Sequence, residues 1–598
     1  MQSLNRNALW AGALMDELAH CGVRHVCISP GSRSAPLALS AATHPELEDR
    51  SILDERSAAF FALGLARASR TPVALVCTSG TAAANYLPAV VEAHYSRVPL
   101  ILLTADRPIE ERDCGAGQTI DQAKLYEPYV RSVQQLPEPA LEPALLRHVR
   151  RVACRAVAAA LGGPPGPVHV NVPFREPLAP VVVPEDERAV AELDALSREG
   201  RGSRPMTRVA PAEPMLTTPA ELERIARSLA AEPHGWIVAG PLDASAQLSQ
   251  ELTRLAHAIR WPLLADPLSG LRSGPHDRAL LVDAHDAVLH SSAFVEAHLP
   301  RVVLRFGDMP TSKAYRTLLG AHPEITQLVV DPWGWSDPTA LANELVRADP
   351  GRLANALAQK LELMQPRPAS EFAEHWVRAG LTARRLLDSA LEAQAGVSEP
   401  AAVRTLSQLL PDAATLFVAS SMPIRDVDLI WPSSARSLRI LANRGANGID
   451  GTVSCALGSA LGCGTPLVLL VGDLALLHDW TGLLLTRDRD IHATIVVLDN
   501  SGGGIFEFLP ISSSAPREIF ERHFATGQDV DLCAALEGFG LASNAVRSSG
   551  ELRDAIESSL GSPGVQLIVL RTDRRENLEL HRKLGEAVAH VLEPAGRS

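Results

Sequence analysis

Strand-length apolar runs alternate with helix-length segments in three separate stretches of the chain, and this alternation restricts the fold more than any other feature. In the first stretch, residues 23–29, 73–78, 100–104 and 168–172 read as strands, with helices over 58–68 and 82–94. The second offers strands at 236–239, 263–265, 302–306 and 328–331, and the third at 415–419, 467–472, 494–499 and 565–570. Strands covered on both faces by crossover helices are apolar throughout rather than alternating, and repeated β-α-β order builds a parallel, doubly wound sheet. A chain of 598 residues also exceeds what one hydrophobic core supports. The expected class is therefore α/β, with three doubly wound parallel-sheet domains.

The predicted boundaries are 1–180 for the first domain, 216–365 for a central α/β domain and 397–598 for the last. Residues 181–215, rich in Pro, Glu, Arg and Ser, read as a linker with a helical part near 187–196. Residues 366–396 read as a helical linker, the pattern being strongest over 371–395.

The formal net charge of −13 argues against general binding to nucleic acid or anionic membranes, while leaving room for a local basic pocket. The longest apolar runs are strand-sized, well short of the ~20 residues that cross a bilayer, so no membrane insertion is expected. The first residues lack the basic-then-apolar order of a signal peptide. Eight cysteines with no C-x-x-C pair read as small buried hydrophobes in a reducing cytoplasm rather than as a zinc site or a disulfide frame.

In doubly wound sheets ligands collect beyond the carboxyl ends of the strands, where residues 29–34, 78–81 and 105–108 fall. The third domain carries the sharpest local signal. One apolar strand ends in Gly472-Asp473, and the next, a single crossover later, ends in Asp499-Asn500 followed by Ser501-Gly502-Gly503-Gly504. Asp473 and Asn500 should then emerge side by side. A carboxylate, an amide oxygen and a backbone carbonyl such as that of Gly502 are hard ligands suited to Mg²⁺ (or Mn²⁺), with diphosphate oxygens completing the shell. The glycines permit close approach of backbone to phosphate. Near the other end of the chain, Asp54-Glu55-Arg56-Ser57 opens a helix. Read alone, that acid pair is a favourable helix N-terminus.

Gly472-Asp473 with Asn500 resembles the metal–diphosphate motif of thiamine-diphosphate enzymes, with Leu474 in place of the motif's usual third residue, glycine. Eight further segments, in order, are similar to the 2-succinyl-5-enolpyruvyl-6-hydroxy-3-cyclohexene-1-carboxylate synthase (MenD) family. They are Ser29-Pro-Gly-Ser-Arg-Ser34, Asp54-Glu-Arg-Ser-Ala-Ala-Phe60, Thr78-Ser-Gly-Thr-Ala-Ala-Ala-Asn85 and Thr104-Ala-Asp-Arg-Pro108. They continue with Asn171-Val-Pro-Phe-Arg-Glu-Pro-Leu178, Ser420-Ser-Met-Pro-Ile-Arg425, Asn443-Arg-Gly-Ala-Asn-Gly-Ile-Asp-Gly451 and Thr572-Asp-Arg-Arg-Glu-Asn577 with His581.

The resemblance implies the thiamine-diphosphate-binding fold, with the pyrimidine held by the first domain and the diphosphate and metal by the last. It makes Glu55 the residue that hydrogen-bonds the pyrimidine N1′ and so promotes loss of the thiazolium C2 proton. It implies a transferase that decarboxylates 2-oxoglutarate and adds the remaining four carbons to isochorismate by a Stetter-like 1,4-addition, a step of menaquinone biosynthesis. Two dicarboxylate substrates call for fixed cations, for which the forked guanidinium is apt. Arg33, Arg107, Arg425, Arg444 and Lys313 match the family's substrate-binding positions, and Ser32 and Gln118 would add neutral hydrogen bonds. Ser421 and Met422 match contacts to the pyrimidine, Ile449 the residue that bends the cofactor, and Ile505, Phe506 and Leu509 an apolar wall over it. Departures fall at Gly117, Ala314 and Thr481, which bear on substrate affinity more than on reaction class. The resemblance also implies a homodimer or homotetramer, which the sequence does not itself show. Another thiamine-diphosphate-dependent 2-oxoacid decarboxylase or carboligase, or a cofactor-binding relative without catalysis, are the alternatives. A nicotinamide enzyme is disfavoured, since no G-x-G-x-x-G lies between a strand and a helix.

Overall fold

The computed structural model describes residues 5–364, 370–394 and 396–593. Its eighteen strands form three six-stranded sheets in which every neighbouring pair runs parallel. The first holds β1 His25–Ile28, β2 Glu48–Ser51, β3 Val73–Cys77, β4 Leu100–Asp106, β5 Val133–Gln135 and β6 Val168–Pro173, in the order β2-β1-β3-β4-β6-β5. The second holds β7 Gly235–Ala239, β8 Leu263–Ala265, β9 Leu281–Val282, β10 Val302–Phe306, β11 Thr326–Val330 and β12 Glu344–Val346, in the order β12-β11-β10-β7-β8-β9. The third holds β13 Thr415–Val418, β14 Arg439–Leu441, β15 Leu467–Gly472, β16 Ala493–Asp499, β17 Ser543–Val546 and β18 Val565–Arg571, in the order β14-β13-β15-β16-β18-β17.

The four central strands of each sheet are those expected from the apolar runs. The outermost strand on either side, six in all, was not anticipated. The reason is physical. β3, β4, β6 and β16 are buried along their whole length, whereas β2 is mostly exposed and β17 half so. An edge strand covered on one side needs no apolar run and carries the polar residues that discourage edge pairing.

Each sheet has a topological switch point where the winding changes direction, between β1 and β3, between β7 and β10, and between β13 and β15. Such a switch point opens a crevice at the carboxyl ends of the two strands. At all three points the strands stay paired one residue past their ends, the Ser29, Gly240 and Ala419 N–H groups donating to the Val76, Phe306 and Leu470 carbonyls at 2.9 Å. The first and third sheets carry the predicted site loops there.

By contacts, the chain groups into two compact units. The first runs to Ala212 and takes in Asn443–Gly464 and Ala475–His492; the second comprises the rest and contains the second and third sheets. The segment expected as a linker over 181–215 is largely docked on the first unit. It forms helices Pro184–Ala191 and Ala195–Glu199, Asp186 is buried against Arg6, and the Arg150 guanidinium donates to the Arg198 carbonyl at 3.0 Å. The expected helical linker is likewise core: helix Glu371–Ala393 buries Trp376 edge-on against Trp236 at 4.6 Å. Residues 366–369 and Ala395 of that expectation lie outside the described residues.

Within the first unit, alternate strand residues Val26, Ala74, Val76, Ile101 and Leu103 pack with helices Arg6–His20 and Pro143–Leu161. Helix Glu55–Ser69 packs against Thr452–Cys463, and glycines set their closeness. A Cβ at Gly64 would fall 1.8 Å from the Cys455 carbonyl oxygen, and one at Gly458 would fall 2.0 Å from that of Phe61. Because both obstacles are backbone, Gly64→Ala must push the helices apart. The expected loss is about 1–3 kcal/mol, the usual cost of overpacking, read as a lower urea midpoint for the cofactor-free protein. An unchanged midpoint would show that the contact yields freely.

Candidate cofactor and substrate site

β15 and β16 are paired so that Gly472 stands opposite Leu498. Asp473 therefore leaves its strand beside Asp499, with Asn500 one residue further. Asp473 opens helix Asp473–His478 and is buried. Its Oδ1 accepts the Leu474 N–H at 2.8 Å and its Oδ2 accepts the Gly502 N–H at 2.7 Å, which ties the helix start to the glycine loop. Burial pushes this carboxyl up to about 6, with those two N–H groups pulling the other way.

Asn500 is also buried. Its Nδ2 donates to Glu399 Oε1 at 2.8 Å, while its Oδ1 has no hydrogen-bond partner. A buried acceptor left bare is costly, and a hard cation would satisfy it together with the neighbouring carboxylate. The residues present thus fit a Mg²⁺ that bridges to a diphosphate. The carbonyl of Gly502, which accepts the Gly504 N–H at 2.9 Å, keeps a second lone pair for the same ion. The glycines are needed for packing as well. Gly502 has φ +143°, a Cβ there would meet the Ala525 carbonyl at 2.6 Å, and one at Gly504 would meet Asn500 Nδ2 at 2.9 Å. Beyond them, Ile505 and Phe506 in the 3₁₀ turn Gly504–Phe508, with Leu509 after it, are half-buried, as is Leu474.

At the neighbouring strand end, Ser421 takes the left-handed φ of +76° and caps helix Met422–Ile430. Met422 is buried below it, and the Arg425 guanidinium donates to the Ser421 carbonyl. Burial pushes the Arg425 guanidinium down. Lys313 is the exposed first residue of helix Lys313–Ala321, whose cap Ser312 accepts the Tyr315 N–H and donates to Asp286. All of these residues lie in the second unit.

Glu55, Ser32, Arg33, Arg107, Gln118, Arg444 and Ile449 lie in the first. Glu55 begins helix Glu55–Ser69 behind an Asp54 cap that accepts from the Arg56 and Ser57 N–H groups. Asp54 is held in turn by the Thr481 hydroxyl at 2.8 Å, and Arg56 donates to the His478 carbonyl at 2.9 Å. Thr481, noted as a departure from the family pattern, is therefore a support for the turn that carries Glu55.

The β1 loop presents Ser32 at the surface and buries Arg33, which donates to the Phe174 carbonyl at 2.8 Å and reaches Glu176 at 3.6 Å. Burial, then the Arg107 charge, push the Arg33 guanidinium down. Arg107 follows β4 and donates to Glu111 at 2.9 Å. The Nε–H groups of both arginines are buried without an acceptor, a donor capacity that a carboxylate could use. Gln118, exposed at φ +54°, has its backbone 3.3 Å from where a Gly80 Cβ would sit.

Arg444 and Ile449 are half-buried on loop 443–451, in the first unit. Two buried residues that the sequence reading missed hold these loops. Glu92 accepts the Gly445 N–H at 2.9 Å and the Ala446 N–H at 2.6 Å. Gln122 accepts the Gly80 N–H at 2.8 Å and donates to the Ala105 carbonyl and to Asn171. Neither has a local signal: one lies mid-helix and the other in a polar loop.

Comparison with known proteins agrees with this chemistry. Residues 10–125 match the model of the thiamine pyrophosphate enzyme N-terminal TPP binding domain, and residues 432–570 that of the C-terminal TPP binding domain. The chain is 46% identical over 586 residues to the 2-succinyl-5-enolpyruvyl-6-hydroxy-3-cyclohexene-1-carboxylate synthase of Geobacillus kaustophilus, covering 98% of both chains. It is 45% identical to the enzyme of that name from Chloroflexus aurantiacus (98% of this chain, 97% of that one) and 43% to that from Myxococcus xanthus (98% of both). Thiamine diphosphate is thus the cofactor of this α/β protein, and the chain belongs to the 2-succinyl-5-enolpyruvyl-6-hydroxy-3-cyclohexene-1-carboxylate synthase family.

Proposed function

We propose that the protein decarboxylates 2-oxoglutarate and adds the resulting four-carbon unit to isochorismate in a Stetter-like 1,4-addition. The products are 2-succinyl-5-enolpyruvyl-6-hydroxy-3-cyclohexene-1-carboxylate and CO₂, in menaquinone biosynthesis. The reading is carried by the coexistence of a buried carboxylate and bare amide oxygen at Asp473 and Asn500 with the paired, unsatisfied Nε–H groups of Arg33 and Arg107. Bound thiamine diphosphate supplies the electron sink for decarboxylation. Asp473, Asn500 and the Gly502 carbonyl hold Mg²⁺ (or Mn²⁺), and Gly472, Leu474, Ser421 and Met422 bound the cofactor. Glu55 holds a proton at the pyrimidine N1′. Ile449 would support the bound cofactor, and Ile505, Phe506 and Leu509 would keep water from it. Arg33, Arg107, Arg425, Arg444 and Lys313 pair with substrate carboxylates, with Ser32 and Gln118 adding neutral hydrogen bonds.

Residues 1–180 act as the pyrimidine domain and 397–598 as the diphosphate domain, flanking a central domain at 216–365. The protein works in the cytoplasm as a homodimer or homotetramer. No helix among the described residues is long and apolar enough to cross a membrane. The test supplies thiamine diphosphate, Mg²⁺, 2-oxoglutarate and isochorismate and follows the loss of isochorismate absorbance. Consumption that needs 2-oxoglutarate is expected. Equal turnover with pyruvate would point instead to another 2-oxoacid carboligase, and no turnover to a binding-only relative.

A further inference from the structure

Asn500 can offer an oxygen to a metal only if its amide faces the right way. The two orientations of a planar amide have nearly the same shape, so something must choose between them. Glu399 makes that choice. It is the first residue of helix Glu399–Leu409, next to the Ser398 cap, and is 1% exposed. One of its oxygens, Oε1, accepts both Asn500 Nδ2 at 2.8 Å and the Thr572 hydroxyl at 3.1 Å. Oε1 is thus the acceptor toward both partners. Reversing the amide would therefore set Asn500 Oδ1 against Glu399 Oε1, two acceptors in contact in a buried space.

A helix N-terminus by itself favours an acidic residue, but it favours an exposed one equally well. Burying Glu399 serves no capping purpose, because Ser398 already accepts the Ala401 N–H at 3.2 Å. The burial is explained by the contact with Asn500. Thr572 holds the accepting oxygen in place from the opposite end of the domain sequence.

We propose that Glu399 is a positioning residue which locks the Asn500 amide with Nδ2 turned inward and Oδ1 presented to the metal. The anchorage of the cofactor then depends on a side chain that touches neither metal nor cofactor. This inference rests on the metal role proposed above for Asp473 and Asn500.

The test measures binding of thiamine diphosphate at fixed Mg²⁺ by calorimetry on the full-length protein, without substrates. Glu399→Asp keeps the charge but withdraws the acceptor by one methylene; binding should weaken by about 10- to 100-fold, the range usual for residues that orient metal ligands. Glu399→Gln keeps the reach, but its amide can turn a donor toward Asn500 and no longer excludes the reversed orientation, so binding should weaken by more than about threefold. In the Asn500→Asp background both terminal atoms are oxygens, orientation no longer matters, and adding Glu399→Asp should bring no further loss. Glu399→Asp or Glu399→Gln binding as wild type does overturns the proposal. So does an undiminished loss on adding Glu399→Asp to Asn500→Asp. Asp473→Ala separates the two levels: if that variant binds normally, the metal reading itself has failed. If it loses binding while Glu399→Asp does not, only the role of Glu399 falls.

Discussion

Replacing Glu55 by Gln lowers the rate of isochorismate consumption by about 100- to 10,000-fold, the range that general acid–base groups contribute, and leaves cofactor affinity within a few fold. Gln has the same shape and still reaches the pyrimidine N1′, but it cannot hold or release the proton there. The turn beneath it is set by Asp54, Thr481 and Arg56 rather than by Glu55 itself, so the substitution leaves the local structure in place. Two measurements separate chemistry from binding: exchange of the cofactor's C2 proton for deuterium, and the cofactor's dissociation constant. Exchange as fast as in wild type removes Glu55 from the mechanism. Exchange and affinity lost together would assign it to binding.

Asp473→Ala is expected to weaken Mg²⁺-dependent cofactor binding by more than about 100-fold, beyond what residues that merely support metal ligands contribute. The same carboxyl predicts a pH dependence. Burial raises it from its ordinary 3.8 to about 6 in the protein without metal. An acid whose folded value lies above its unfolded value contributes most to stability below about pH 4. That contribution is lost as pH rises through about 6, because the unfolded chain ionises more readily. Metal binds the ionised form and must displace a proton at low pH. Affinity should then fall by about tenfold per unit below pH 6 and show no such slope from Asp473 above it. Calorimetry in two buffers of different ionisation enthalpy checks this. Most of a proton is released on Mg²⁺–cofactor binding at pH 5.5 and almost none at pH 7.5. Release that is the same at both would assign the pH dependence elsewhere.

Glu399 illustrates why part of the site was illegible. In the sequence it is an acid at the start of a helix, the position any favourable helix N-terminus offers. Nothing local distinguishes it, because its partners Asn500 and Thr572 arrive from distant parts of the chain. Glu92 and Gln122 were missed for the same reason: their value lies in backbone N–H groups that only the folded chain brings to them. By contrast, the placing of Asp473 and Asn500 at one sheet edge was legible, because a strand–loop–helix register sets it by short-range geometry alone, whereas the arginines were singled out only by the family resemblance.

The amino-acid sequence by itself determined the twelve central strands, the parallel winding they require and the loops in which Glu55, Asp473 and Asn500 would stand. A strand buried on both faces must be apolar along its length, and that leaves a mark readable from a few residues. Tertiary structure alone decided the six edge strands and the hold of Glu92 on loop 443–451. It also decided which way the Asn500 amide faces. Each of these depends on a polar group or a close backbone contact whose partner is far away in sequence, and neither leaves a periodic trace in the chain that carries it.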